Sequence, residues 1–325
     1  MNLFNRKTFI SRKYTIVILL FFFVFSSIFS ALIEGSIVLA DSSKDWPMFH
    51  GNLSHTGVSS IEPVVNNSTA WKFNTGGPVD SPTIFDNVVY FGSMDDNLYA
   101  LNSTNGKILW KFTTGGNILS QAAVANGRIF FGSEDNRIYA LNATNGGFLW
   151  SFETGYFVDS APAFYEGVIY VASEDWNIYA LNASSGDLLW KYSTEGQIML
   201  SSTVVAYGLV FVGSEDLNVY ALNATSGDLV WKYRTGDMVV STPAIADGFL
   251  YIGSNDFKLY ALDAFNGDFK WSYTTDGPIF SSPTVAGKAV FVGSVDGRIY
   301  SFNRFSGELI CLFKLMQTFH LHLQS

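Results

Sequence analysis

A segment of about forty residues recurs through this chain, and nothing else in the sequence restricts the fold as tightly. Trp71, Trp110, Trp150, Trp190, Trp231 and Trp271 stand 39, 40, 40, 41 and 40 residues apart. Asp95, Asp135, Asp175, Asp216, Asp256 and Asp296 keep the same beat. Each unit divides into four short β-branched and aromatic runs. In the second unit these are QAAVA, RIFFGS, RIYALN and FLWSFET, separated by Gly, Asn and Asp at the breaks. Runs such as VIYVAS are apolar on both faces, as expected for a small sheet sandwiched between two neighbours. The pattern predicts an all-β chain: a β-propeller of four-stranded antiparallel blades, one blade per repeat. Six complete blades are expected, with an incomplete seventh contributed by the N-terminal segment around WKFNT at residues 71–75. The short first spacing places a missing residue in the Asp86-Asn87 turn, and the long fourth one places an extra residue around Glu195.

Composition narrows the setting. Charged residues make up only 14% and the net charge is −9, so no basic stripe exists to neutralise nucleic-acid phosphates. Arg6, Lys7, Arg12 and Lys13 precede an apolar run over residues 14–33, and VLA at residues 38–40 offers a cleavage site. Residues 1–40 therefore read as a signal peptide or as an uncleaved N-terminal membrane anchor. Either way the remainder is exported: secreted, or held at the extracellular cell surface. Residues 41–65 form an N-terminal extension, 66–315 the propeller, and 316–325 an irregular tail. Cys311 is the only cysteine, so packing must supply the stability that disulfides give many exported domains.

The strongest copies of the repeat are YALNSTNGKILW, YALNATNGGFLW, YALNASSGDLLW, YALNATSGDLVW and YALDAFNGDFKW. Gly supplies backbone freedom at the corner between the third and fourth strands, and Asn or Asp caps it. Trp110, Trp150, Trp190, Trp231 and Trp271 then fall on outer strands, placed to lie across an adjacent blade. Their pattern, Ala-x-Asp/Asn-x-x-x-Gly-x-x-x-Trp, resembles the tryptophan-docking motif of quinoprotein-type propellers, the PQQ-like repeat. A sixth copy keeps Asn303 and Gly307 but carries Ser301 and Cys311 at its ends.

Quinoprotein dehydrogenases of that group use a quinone with calcium, a cysteine pair and a catalytic aspartate. A single cysteine cannot form the pair, and the repeats carry no large insertions, so no cofactor, metal site or catalytic residue is assigned. His50, His55, His320 and His322 all lie outside the repeats. Function is expected where the repeat breaks its own symmetry. Trp176, Leu217 and Phe257 replace the small or polar residues (Asn136, Gly297) of equivalent turns. Tyr156 and Phe157 lie in the preceding interblade loop, and Asp80 and Asp159 lead into innermost strands. These residues form a candidate ligand face. Asn52, Asn66, Asn67, Asn102, Asn142, Asn182 and Asn223 satisfy Asn-x-Ser/Thr, and the last four share the opposite face. The reading is an exported, non-enzymatic scaffold for an unidentified protein or glycan at the cell envelope, with no nucleic acid and no membrane contact except through residues 14–33. The alternatives are a quinone- or metal-dependent oxidoreductase, and a resemblance to envelope-assembly propellers that bind extended peptides.

Overall fold

The computed structural model describes residues 71–314. The expected signal or anchor, the extension over residues 41–65, Asn52, Asn66, Asn67, the four histidines and the tail at 316–325 lie outside the described residues. Six four-stranded sheets follow one another, spanning residues 83–113, 123–153, 163–193, 204–234, 244–274 and 284–314. Each is an antiparallel meander in chain order, and together they form a β-propeller. Innermost strands neighbour one another from Thr83–Phe85 through to Thr284–Ala286. The middle strands are buried on both faces; Leu209–Gly213, for instance, is buried throughout. Outer strands show the opposite pattern, with only the tryptophan buried in Leu188–Ser193. The outer strand of each of the first five sheets carries a register shift beside its tryptophan, as between Ala180 and Leu181 in the third sheet, and the sixth carries one beside Cys311. Such a bulge interrupts the regular row of hydrogen-bonding groups that an edge strand would otherwise offer to another chain.

The expected tryptophan docking is present at each junction between neighbouring blades among the described residues. Trp150 is 7% exposed, and its Nε1–H donates to the Ala183 carbonyl of the next blade at 3.1 Å. Its ring lies against Gly186, where a Cβ would stand 2.7 Å from the indole. Trp110, Trp190, Trp231 and Trp271 repeat the contact, with indole-to-carbonyl distances between 2.9 and 3.1 Å. Residues 71–75 behave as the outer strand of a further blade. Trp71 docks on Gly106 and donates to the Ser103 carbonyl at 2.8 Å, while Phe73 packs edge-on against Tyr99. At the other end Cys311 occupies the docking position. Burying one indole removes roughly 150–250 Å² from water. At about 25 cal/mol per Å² this is roughly 4–6 kcal/mol gross per junction, an upper bound before chain entropy.

A second periodic contact closes the opposite side of each junction. Asp175 Oδ2 accepts from the Gly155 backbone N–H at 2.7 Å and from the Tyr179 hydroxyl at 2.6 Å. All six repeating aspartates make this clasp to the backbone of the preceding loop and are therefore structural. For Asp95, burial alone would raise the carboxyl pKa. Hydrogen bonds from Tyr99, Gly76, Asn97 and Ser93 outweigh that and hold it below the ordinary range. Burial, reinforced by Asp95, pushes the Tyr99 hydroxyl up to about 12.

The structure relocates both length irregularities. The first two strands pair as Thr83↔Tyr90, Ala123↔Phe130, Ala163↔Tyr170 and Val204↔Phe211. Before those strands, backbone bonds align Pro78 with Asn117, Phe157 and Gln197. Between these fixed points the first blade is one residue short, in residues 79–83 rather than the Asp86-Asn87 turn. The fourth blade is one residue long, at Met199-Leu200 rather than at Glu195. Both changes fall on the lead-ins to innermost strands, where they border the channel.

Gly146 has φ of +71° and lies against Trp110. Gly146→Ala is expected to destabilise the protein by about 2 kcal/mol or more through αL strain and the clash. Trp150→Ala is expected to lose about 3–5 kcal/mol. Chemical denaturation of both variants checks the pair; unchanged midpoints would contradict the docking account.

Candidate ligand face and channel mouth

Turns between second and third strands emerge beside the interblade loops, on what is here named the upper face. Each such turn requires a left-handed residue. Asp96, Asn136 and Gly297 fill that position in three blades, with φ of 66°, 68° and 80°. In the third, fourth and fifth blades it holds Trp176, Leu217 and Phe257, with φ of 73°, 75° and 73°. Bulky side chains are disfavoured there by roughly 1–2 kcal/mol each. Backbone bonds hold them regardless, from Trp176 N–H to the Ser173 carbonyl at 3.2 Å and from Phe257 N–H to the Ser254 carbonyl at 3.2 Å. Trp176 is 52% exposed and Phe257 41%, while Leu217 is partly exposed. The strain therefore serves no burial of Trp176 or Phe257.

Tyr156 and Phe157 stack on each other with centroids 4.3 Å apart. Their loop is tied to the Trp176 turn by the Ser173 hydroxyl, which donates to the carbonyls of Tyr156 and Phe157. Glu174 N–H also donates to the Phe157 carbonyl. Trp176 itself forms no ring contact among the described residues, so the expected aromatic cluster is an open arc of separate platforms. Asp80 and Asp159 lie nearer the axis. With Ser81, Leu119, Gln121, Ala161, Leu200 and Ser202 they line a cavity of about 150 Å³. Its walls are the lead-ins of the first four blades, stitched together by Gln121 Nε2–H to the Pro82 carbonyl at 3.0 Å and by Ala161 N–H to Ser202 Oγ at 2.9 Å. Burial raises the Asp80 carboxyl to about 6, a hydrogen bond from the Ser81 backbone offsetting this only in part. Leu119, Gln121, Leu200 and Ser202 are functional candidates that motif reading missed. The one available signal was the extra residue of the fourth unit, which becomes informative only once it is placed at Leu200.

Asn102, Asn142, Asn182 and Asn223 lie on the lower face as expected, and each caps its own turn. Asn142 Oδ1 accepts from the N–H groups of Thr144 and Asn145 at 2.9 and 3.2 Å, and Asn182 does the same for Ser184 and Ser185. Among the described residues no group of three or more His, Cys, Asp or Glu could hold a metal ion. No helix among them is long and apolar enough to cross a membrane.

The family model described as "Outer membrane protein assembly factor BamB" matches residues 56–156, 146–244 and 235–310. The chain belongs to this PQQ-like, BamB-type propeller family. Among solved structures it is similar to BamB from Moraxella catarrhalis, at 19% identity and TM-score 0.65, covering 72% of this chain and 75% of that one. It is equally similar to the computationally designed Ika8 protein, at 18% identity and TM-score 0.66, covering 74% and 75%. No protein of curated function matches the sequence. A natural and a designed protein thus share the fold of this chain.

Because the folded-state pKa of Asp80 is raised from 3.8 to about 6, the folded protein binds its proton more tightly than the unfolded chain. Stability from this group is fullest below pH 4 and declines as pH rises through 6. Asp80→Asn is expected to increase stability at pH 7 by up to about 3 kcal/mol and to flatten the profile between pH 4 and 6. Denaturant midpoints across that range check the sign; a loss of stability at pH 7 would reverse it.

Proposed function

We propose that this chain is an exported, non-catalytic scaffold that holds a protein partner of the cell envelope against its upper face. The carrying observation is the placement of Trp176, Leu217 and Phe257. Three consecutive blades put apolar side chains into αL positions that other blades give to Asp, Asn or Gly. Strain of this kind persists where the residue serves something other than folding. An exposed aromatic and aliphatic arc set in a rigid frame suits a segment of another protein laid across several blades. Tyr156 extends the arc towards the channel. The family's description as an assembly factor supports the same reading. The apolar run at residues 14–33 supports export. The lower face, with its four capped Asn-x-Ser/Thr corners, is free in this arrangement for N-linked sugars.

Trp176→Asn separates this role from a packing role. Asn tolerates the left-handed conformation, so the variant is expected to be more stable than the parent by roughly 1 kcal/mol. It is also expected to lose capture of the partner from a solubilised envelope fraction of the source cell, and Phe257→Asn is expected to behave alike. Capture that survives in the stabilised double variant would remove the upper face from consideration. Capture abolished by deglycosylating the fraction would move the partner from protein to glycan.

A further inference from the structure

The cavity at the channel mouth differs in kind from the apolar arc around it. It is bounded by four consecutive lead-ins, and the two of irregular length, in the first and fourth blades, both contribute to its lining. The first contributes Asp80 and the second contributes Leu200. The lead-ins of the third to sixth blades are all pinned by an equivalent serine, Ser160, Ser201, Ser241 and Ser281, so the irregular lengths are not needed to close a blade. Chemically the lining divides in two. Asp80 and Asp159 supply carboxylates, Leu119 and Leu200 supply aliphatic wall, and Gln121, Ser81 and Ser202 supply neutral dipoles. Leu200 is 57% exposed, on a chain whose interior leucines are almost fully covered. No lysine or arginine among the described residues pairs with Asp80.

We propose that this cavity is a socket for one lysine side chain of the bound partner, with the ammonium between Asp80 and Asp159 and the methylene stem along Leu119 and Leu200. The inference rests on the scaffold reading and names the chemistry that the scaffold selects. Lysine combines a compact point charge with an apolar four-carbon rod, matching a lining with both characters. Arginine would bring a planar five-donor fork into a site holding two carboxylates and little room. A calcium ion asks for six to eight oxygen ligands, and the leucine walls supply none. An incoming ammonium also relieves the ionised Asp80, which burial otherwise disfavours. Protonation of Asp80 therefore competes with the lysine. The groups facing Asp80 across the cavity are Asp159, Gln121 and Ser202, and none of the lining residues is a cation.

The test is a titration of the full-length chain, carrying methyl-labelled leucine in detergent micelles, with Nα-acetyl-lysine methylamide. Its norleucine counterpart and calcium chloride alone are the comparison probes. The lysine probe is expected to shift the Leu119 and Leu200 methyls saturably at pH 7.5 and to bind about tenfold more weakly at pH 5, where Asp80 is mostly protonated. The norleucine probe should produce no saturable shift. Binding should disappear in Asp80→Asn/Asp159→Asn. Leu200→Lys, which supplies its own ammonium, should block the probe without that double change, so the answer does not depend on one variant folding. Equal binding of norleucine, displacement of the lysine probe by calcium, or no saturable shift would each overturn the socket. The probe contains no partner, so its failure leaves the Trp176 result standing, and the reverse also holds.

Discussion

An indole laid on a glycine corner of the next blade is the contact on which the whole ring depends. It joins residues such as Trp150 and Gly186 across a boundary that no strand pairing crosses. The sheets are separate four-stranded units; side-chain packing and bonds between lead-ins, such as Gln121 to Pro82, help to join them, and two polar contacts recur at the junctions, the indole-to-carbonyl bond and the aspartate clasp on the other side. Both polar contacts tie a side chain to backbone, which fixes the spacing of the blades whatever the neighbouring side chains are. The same corner explains why glycine recurs there: a Cβ would collide with the ring, and the backbone is left-handed as well.

A frame determined this fully by repetition leaves its exceptions visible. Trp176, Leu217 and Phe257 hold positions that the frame would fill more favourably with Asn, Asp or Gly. Asp80 keeps a carboxyl where burial disfavours its charge. Leu200 is an insertion with its side chain largely in solvent. Each opposes folding slightly, and all lie on one side of the ring. On the opposite side the bulky left-handed residue, Tyr207 at φ of 55°, is packed on Phe265 with ring centroids 4.9 Å apart, so its strain has a partner within the fold. Natural sequences depart from local consistency chiefly where function requires it, so this asymmetry points to the upper face.

Most of the fold was legible because the period and its turn chemistry repeat. Strand boundaries in the second unit agree with the structure to within about two residues, and the docking role of the tryptophans followed from their register with Asn and Gly. The candidate ligand face was legible only in part. Trp176, Leu217 and Phe257 could be found by aligning units, but their left-handed backbone could not. Tyr156 and Phe157 were expected to cluster with Trp176; instead they stack on each other, because bonds from Ser173 and Glu174 hold their loop by its backbone. The channel mouth was largely hidden. A tryptophan-to-tryptophan count shows that a unit is long or short without showing where. Only the strand register and the loop hydrogen bonds place the change at Leu200. Leu119, Asp159 and Leu200 are roughly forty residues apart in sequence, and no local pattern announces that they converge on the axis.

In this arrangement docked indoles hold the blades together while the upper-face indole stays open to solvent. Hydrogen exchange of the indole N–H groups, followed by two-dimensional NMR, measures both halves at once. Trp110, Trp150, Trp190 and Trp231 donate to buried carbonyls and Trp271 to a partly buried one, so their protons should exchange slowly, limited by separation of the blades. Trp176 should exchange at nearly the rate of a solvated indole. Docking indoles that exchange as fast as Trp176 would contradict the account.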